Sequence, residues 1–200
     1  MSSRITLVVA ALAGAAGLVA AALWFAPGAT SLQSGLLLPQ PRALSEFTLQ
    51  GDDGQPYTRA RLLGHWTLLF PGFIHCPDTC PTTLAMLKQV RMKLGKESGL
   101  RVLFLSVDPE RDTPLQLASY VHYFDASFTG ATASEPELAR VAHELAIAYQ
   151  KVPGNTPDTY AMDHTAALIL INPQAQVVAY FSPPFQPDVL VADLKASGAG

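Results

Sequence analysis

Residues 5–26 read ITLVVAALAGAAGLVAAALWFA, without one charged side chain. As a helix rising about 1.5 Å per residue, the run spans roughly 33 Å, which matches a hydrocarbon core of about 30 Å. Signal-peptide apolar stretches are shorter, about 7–15 residues. We therefore read an uncleaved transmembrane anchor, with a cleaved signal peptide as the alternative. Trp24 and Phe25 stand at the far edge, where aromatic rings favour the interface, and Pro27-Gly28 ends the helix. The first thirty residues contain no cysteine, which argues against a lipid anchor. Arg4 precedes the run and the next basic residue is Arg42. The positive-inside bias then leaves residues 1–4 in the cytoplasm and the rest outside. A single-pass protein of a bacterial inner membrane, with its C-terminal domain in the periplasm, fits this pattern. A mitochondrial presequence would be rich in arginine, and this one is not.

What remains is enough chain for one full domain and not for two. Lys and Arg number 13 and Asp and Glu 16, a net charge of -3, so there is no basic field for nucleic acid. A hydrophobic content of 49% excludes disorder over most of the length. Residues 27–45, with Pro27, Gly28, Gly35, Pro39 and Pro41, read as a linker whose apolar patch at 36–38 lies on the domain or on the membrane surface. The domain is expected over 46–200.

Phe47 and Leu49 alternate with polar residues, Gly51-Asp52-Asp53-Gly54 turns, and Tyr57 resumes, which predicts a hairpin. Residues 66–73 form an apolar run typical of a buried strand, expected to end or bulge at Pro71. Leu84, Leu87, Val90 and Leu94 give 79–96 a helical period, and RVLFLSV at 101–107 is a second buried strand. Thr113-Pro114 opens a helix with Thr as N-cap. Another helix is expected over 135–148. Strands over 165–171 and 177–181 flank Asn172-Pro173-Gln174, and a helix closes the chain at 187–196. Strand and helix alternate, so the class is α/β with a central mixed sheet flanked by helices. A strand-helix-strand crossover followed by an antiparallel hairpin and a last helix is the thioredoxin-like plan.

The two cysteines, Cys76 and Cys80, fall where the first crossover strand gives way to its helix, the end of a sheet where sites gather. Pro77 biases Cys76 to an extended loop, and Pro81 places Cys80 at the cap or first turn of the helix. The helix dipole is expected to favour thiolate there. A disulfide needs sulfurs about 2.05 Å apart, whereas a trigonal site with metal–sulfur bonds of about 2.3 Å needs them about 4 Å apart. Thioredoxins separate their cysteines by two residues; here three intervene, slack that suits a metal without forbidding oxidation. Two thiolates are too few for structural zinc, and soft donors in a low-coordinate site select copper(I). A stabilising disulfide remains open, although closing so short a loop removes little entropy.

A third donor has to come from elsewhere. His65 reads as a solvated turn residue. His122 and His143 lie within helices with no partner evident, and His75 sits at the mouth beside Cys76. His164, just before a strand, falls on the loop that faces the cysteines in the thioredoxin plan, so it is the candidate ligand. Asp163 and Asp78 could orient a ligand or serve as turn and cap residues. Asp108 to Asp112 could form a docking rim or a plain charged loop. Met162 is read as core rather than as an axial ligand.

At these positions the chain resembles the Sco/SenC family of membrane-anchored copper proteins. The matching segments are Phe73-Ile74-His75-Cys76-Pro77-Asp78-Thr79-Cys80-Pro81, Ser106-Val107-Asp108-Pro109-Glu110-Arg111-Asp112-Thr113-Pro114 and Asp163-His164-Thr165-Ala166. The resemblance implies a thioredoxin-like fold, copper held by Cys76, Cys80 and His164, and a role in assembling the dinuclear copper centre of cytochrome c oxidase. The implied partners are the copper-acceptor subunit of that oxidase or another copper chaperone. Pro71 and Ile74 depart from the family's usual aromatic residue and threonine, and neither removes a ligand. The expected function is that of a metallochaperone rather than an enzyme. The alternative is a thiol–disulfide oxidoreductase that uses Cys76 and Cys80 as its redox pair on the acceptor's cysteines. A sensor acting through a partner is a third class.

Overall fold

The computed structural model describes residues 32–200 apart from 155, 157 and 158. The expected anchor at 5–26 lies outside them, and no helix among the described residues is long and apolar enough to cross a membrane. The chain runs β1 (Gly35–Ala43), β2 (Thr48–Gly51), β3 (Pro56–Thr58), β4 (Thr67–Gly72), α1 (Thr79–Leu94), β5 (Arg101–Ser106), α2 (Pro114–Phe124), β6 (Thr129–Thr132), α3 (Glu135–Glu144), β7 (Tyr149–Pro153), β8 (Tyr160–His164), β9 (Leu168–Ile171), β10 (Gln176–Phe181) and α4 (Pro187–Ala196). Eight strands make one mixed sheet in the order β1-β10-β9-β4-β5-β6-β2-β3, and β7 pairs only with β8. β4, β5 and β6 are parallel neighbours, and the other pairings are antiparallel.

The centre of the sheet follows from its composition. β4 (TLLFPG) is buried throughout, and β5 (RVLFLS) is buried after its first residue, as parallel strands covered on both faces must be. Phe70, Phe104, Phe128 and Phe181 are among the largest fully buried side chains. The expected α/β class, the β4–α1–β5 crossover and the closing β9–β10 hairpin with α4 all hold.

Pro71 does not end β4. The Gly72 carbonyl accepts from Val107 N at 2.9 Å, so by alternation the Pro71 nitrogen points away from β5. On that side the β9 ladder has already stopped at Leu69, and no N–H is missed.

The segment expected as linker contains an edge strand. β1 lies antiparallel to β10, with a register shift between Leu37 and Arg42 that brackets Pro39 and Pro41. An edge tolerates proline because one side needs no ladder. Just before it, Gln33 N, Ser34 N and Ser34 Oγ donate to the buried Asp193 carboxylate on α4 at 2.7, 2.8 and 2.7 Å. Sequence periodicity could not reveal a strand whose partner and anchor both lie at the other end of the chain.

Two more boundaries moved. α3 stops at Glu144 rather than at 148, because Ala146 takes a left-handed φ of 56° and Ile147 N bonds back to Ala142 O at 2.8 Å. The chain then enters β7, which with β8 forms a hairpin that its polar sequence had not suggested. His164 is the last residue of β8 rather than a loop residue, and β9 begins at Leu168.

Candidate metal site

β4 delivers the chain to the site at Gly72, where the lack of a side chain matters. A Cβ there would lie 2.5 Å from Phe104 Cε2 and 3.0 Å from Cys80 Sγ. The turn that follows is closed by Cys76 N donating to Phe73 O at 3.3 Å. α1 then begins at Thr79, with Pro81 in its first turn, where a missing N–H costs nothing. Both cysteines are free thiols, Cys76 half-buried and Cys80 fully buried. The N–H of Cys80 points at Cys76 Sγ, 3.4 Å away. The expectation that the helix terminus would favour thiolate fails at Cys80, because burial dominates and pushes that thiol's pKa up. Asp78 is exposed and accepts from Thr82 Oγ1 at 3.3 Å without capping the helix.

His164 Nδ1 lies 2.8 Å from Thr165 O. A carbonyl can only accept, so Nδ1 is the nitrogen that donates here, and in the neutral ring the lone pair is on Nε2. The ring stands edge-on to Phe73 with centroids 5.9 Å apart, which brings the end of β8 against the start of the cysteine loop. The ligand-bearing atoms that gather within 4.8 Å of one another as a set of three belong, among the described residues, to His75, Asp108 and Asp112; the sulfurs and the His164 ring do not form such a set. Asp163 is exposed and accepts from Gln150 Nε2 at 3.5 Å, while Met162 is buried in the core, as expected. His122 does have a partner, with its Nε2 3.5 Å from Asp52 Oδ2.

The segment read as a docking rim or a plain charged loop is a turn that keeps Glu110 exposed but turns two of its carboxylates inward. Asp108 and Asp112 are buried. Asp112 Oδ2 accepts from Ser106 Oγ at 2.6 Å and from Ile74 N in the cysteine loop at 3.0 Å. Its Oδ1 has no hydrogen-bond partner and sits 3.6 Å from His75 Nδ1. Burial raises the Asp112 pKa against these two bonds. Asp108 receives Arg111 Nε at 2.6 Å and the Tyr160 hydroxyl at 2.7 Å. Burial and that carboxylate push Tyr160 up to about 12. The roles of Ser106, Arg111 and Tyr160 escaped the sequence reading. Their only signal was the density of polar residues at the end of an apolar strand.

The SCO1/SenC family model matches residues 38–198. The chain belongs to the SCO1/SenC family. The match takes in Cys76, Cys80, His164 and the whole 106–112 segment. Among SCO1/SenC relatives, the mitochondrial SCO1 homolog 1 of Arabidopsis thaliana is 39% identical over 137 residues, which cover 68% of this chain and 41% of that protein. The chain thus aligns with less than half the length of that curated relative. The copper-bound ScoI structure from Arabidopsis thaliana has a TM-score of 0.73 at 33% identity, covering 78% of this chain and 98% of that one. The copper-bound ScoI structure from Bradyrhizobium japonicum has a TM-score of 0.69 at 36% identity, covering 76% and 98%.

Proposed function

We propose that this SCO1/SenC protein is a copper carrier that holds copper(I) through Cys76, Cys80 and His164 and hands it on during assembly of the dinuclear copper centre of cytochrome c oxidase. The observation that carries the reading is the placing of the His164 ring, with Nδ1 2.8 Å from Thr165 O and the ring against Phe73 of the cysteine loop. With Nδ1 tied to Thr165 O, Nε2 is left as a donor on the hairpin end that rests against the cysteine loop. Two thiols and an imidazole are the soft donor set that copper(I) selects. The copper-bound relatives support the same cargo. Binding requires the sulfurs as thiolates, so the buried Cys80 gives up its proton when the cargo enters. Release proceeds by ligand exchange, an incoming acceptor thiolate replacing one protein donor at a time. The partner is the oxidase's copper-acceptor subunit or another copper chaperone. The span at 5–26 holds the domain on the periplasmic face of a bacterial inner membrane, beside a membrane-embedded client.

A second reading has its own support in the asymmetry of the thiols. A half-exposed Cys76 paired with a buried Cys80 suits thiol–disulfide exchange. The Cys76 thiolate would attack an acceptor disulfide and form a mixed disulfide. Cys80 would then displace the acceptor thiolate, leaving a Cys76–Cys80 disulfide and a dithiol acceptor, with two electrons transferred. His164 plays no part in that sequence.

The two readings separate on metal analysis and copper(I) titration of the anaerobically purified full chain. Wild type is expected to carry one copper, and Cys76→Ser and Cys80→Ser none. His164→Ala should bind at least about tenfold more weakly, since even disturbing a ligand's supporting partner costs roughly 10–100-fold. It should still reduce a disulfide peptide at the wild-type rate. A His164→Ala protein that titrates like wild type removes the carrier site as drawn and leaves only the exchange reading.

A further inference from the structure

A continuous line of hydrogen bonds joins the histidine hairpin to the cysteine loop. It begins at Tyr160, the first residue of the strand that ends in His164. The Tyr160 hydroxyl donates to Asp108 Oδ1 at 2.7 Å, and its carbonyl accepts from Arg111 Nη1 at 3.0 Å. The Arg111 guanidinium lies over the Tyr160 ring, 3.6 Å from the centroid, and its Nε donates to Asp108 Oδ2 at 2.6 Å. Asp108, whose side chain is 0% exposed, is therefore satisfied on both oxygens. Its backbone N–H donates to Ser106 Oγ at 3.1 Å, Ser106 Oγ donates to Asp112 Oδ2 at 2.6 Å, and the same oxygen accepts from Ile74 N at 3.0 Å. The line ends two positions before Cys76. Outside this line, Lys151 on β7 lies 4.9 Å from the Tyr160 ring and pairs with Glu110 at 2.5 Å.

The β7–β8 hairpin needs such a hold. It is a two-stranded ribbon with no ladder to the main sheet, and an isolated pair of strands is marginal by itself. Tyr160 and Lys151 tie the ribbon to the 108–111 turn, while Tyr149 donates to Glu135 at 3.1 Å and His164 rests edge-on against Phe73. Arg111 makes a planar stack, a bond to a carbonyl and a bond to a buried carboxylate at once, which an ammonium cannot reproduce.

We propose that Arg111 and Tyr160 are positioning residues for copper: through Asp108 they fix the β7–β8 hairpin so that His164 is presented to the Cys76–Cys80 loop. The proposal rests on His164 being a ligand, and it adds what places that ligand. Neither residue touches the cargo.

The test is a double-mutant cycle in the full chain, read by copper(I) competition titration with wild type, Arg111→Lys, His164→Ala and the double variant. Arg111→Lys is expected to weaken binding about tenfold, at the lower end of the effect of disturbing a ligand's support. That loss should vanish in the His164→Ala background. Tyr160→Phe, which removes only the hydroxyl, repeats the cycle if the lysine variant does not fold. In the copper-free proteins, amide hydrogen exchange should speed up in β8 and stay unchanged in β4 and β5. Equal losses with and without His164, or wild-type affinity in both variants, overturn the proposal while the ligand reading stands. A His164→Ala protein that binds like wild type overturns the ligand reading and this proposal together.

Discussion

Cys80 donates its backbone N–H to the sulfur of Cys76 across 3.4 Å, while its own sulfur is fully buried and its thiol pKa pushed up. The pair is therefore unequal. Iodoacetamide at pH 8 is expected to modify Cys76 at least about tenfold faster than Cys80, since alkylation follows thiolate fraction and access. Peptide mapping of the reduced, copper-free protein reads the ratio, and equal rates would contradict the burial asymmetry.

Asp112 links the cysteine loop to β5, and burial raises its pKa in the folded state. Unfolded, it titrates near 3.9. Between the unfolded and folded values the native state binds more protons, so this group's contribution to stability falls as pH rises from about 4 and is level above the folded pKa. In Asp112→Asn the amide oxygen can keep the Ser106 and Ile74 bonds, and the NH2 takes the position that has no donor. Urea midpoints across pH 3–8 should show the wild type losing stability relative to Asp112→Asn over the acid range and no further change above it. A difference that grows in the opposite direction would refute the assignment.

Gly72 lets Phe104 and Cys80 approach the end of β4. A Cβ would sit 2.5 and 2.9 Å from two Phe104 ring atoms as well as 3.0 Å from the sulfur. Both neighbours are enclosed, so Gly72→Ala is expected to cost about 1–3 kcal/mol, the range for overpacking a filled core. Thermal unfolding of the copper-free chain measures it.

The α2 start is a capping box: Gln116 N donates to Thr113 Oγ1 at 3.4 Å, and Thr113 N donates to Gln116 Oε1 at 3.1 Å. Thr113→Ala should lower unfolding stability by about 1 kcal/mol. Copper titration should be unchanged, because Thr113 lies outside the line of bonds from Tyr160 to Ile74.

The elements legible in the sequence were those whose signal is local. The crossover strands announced themselves by apolar runs, α1 by its period, α2 by Thr113-Pro114, and the β9–β10 hairpin by Asn172-Pro173-Gln174. β6 was missed, a four-residue TGAT strand with nothing periodic in it. The end of α3 was missed too, because an alanine rather than a glycine takes the left-handed turn. β1 was hidden behind two prolines that only an edge strand would tolerate.

By itself the sequence determined the α/β crossover and the placing of a Cys-x-x-x-Cys loop at the end of a buried strand, since both depend on neighbours along the chain. Which cysteine is exposed, where the His164 ring rests against Phe73, and how Arg111 and Tyr160 meet on Asp108 were decided only by the tertiary structure. Burial and stacking are set by atoms that come together from β4, β8 and the turn after β5, and no local pattern encodes where those three segments meet.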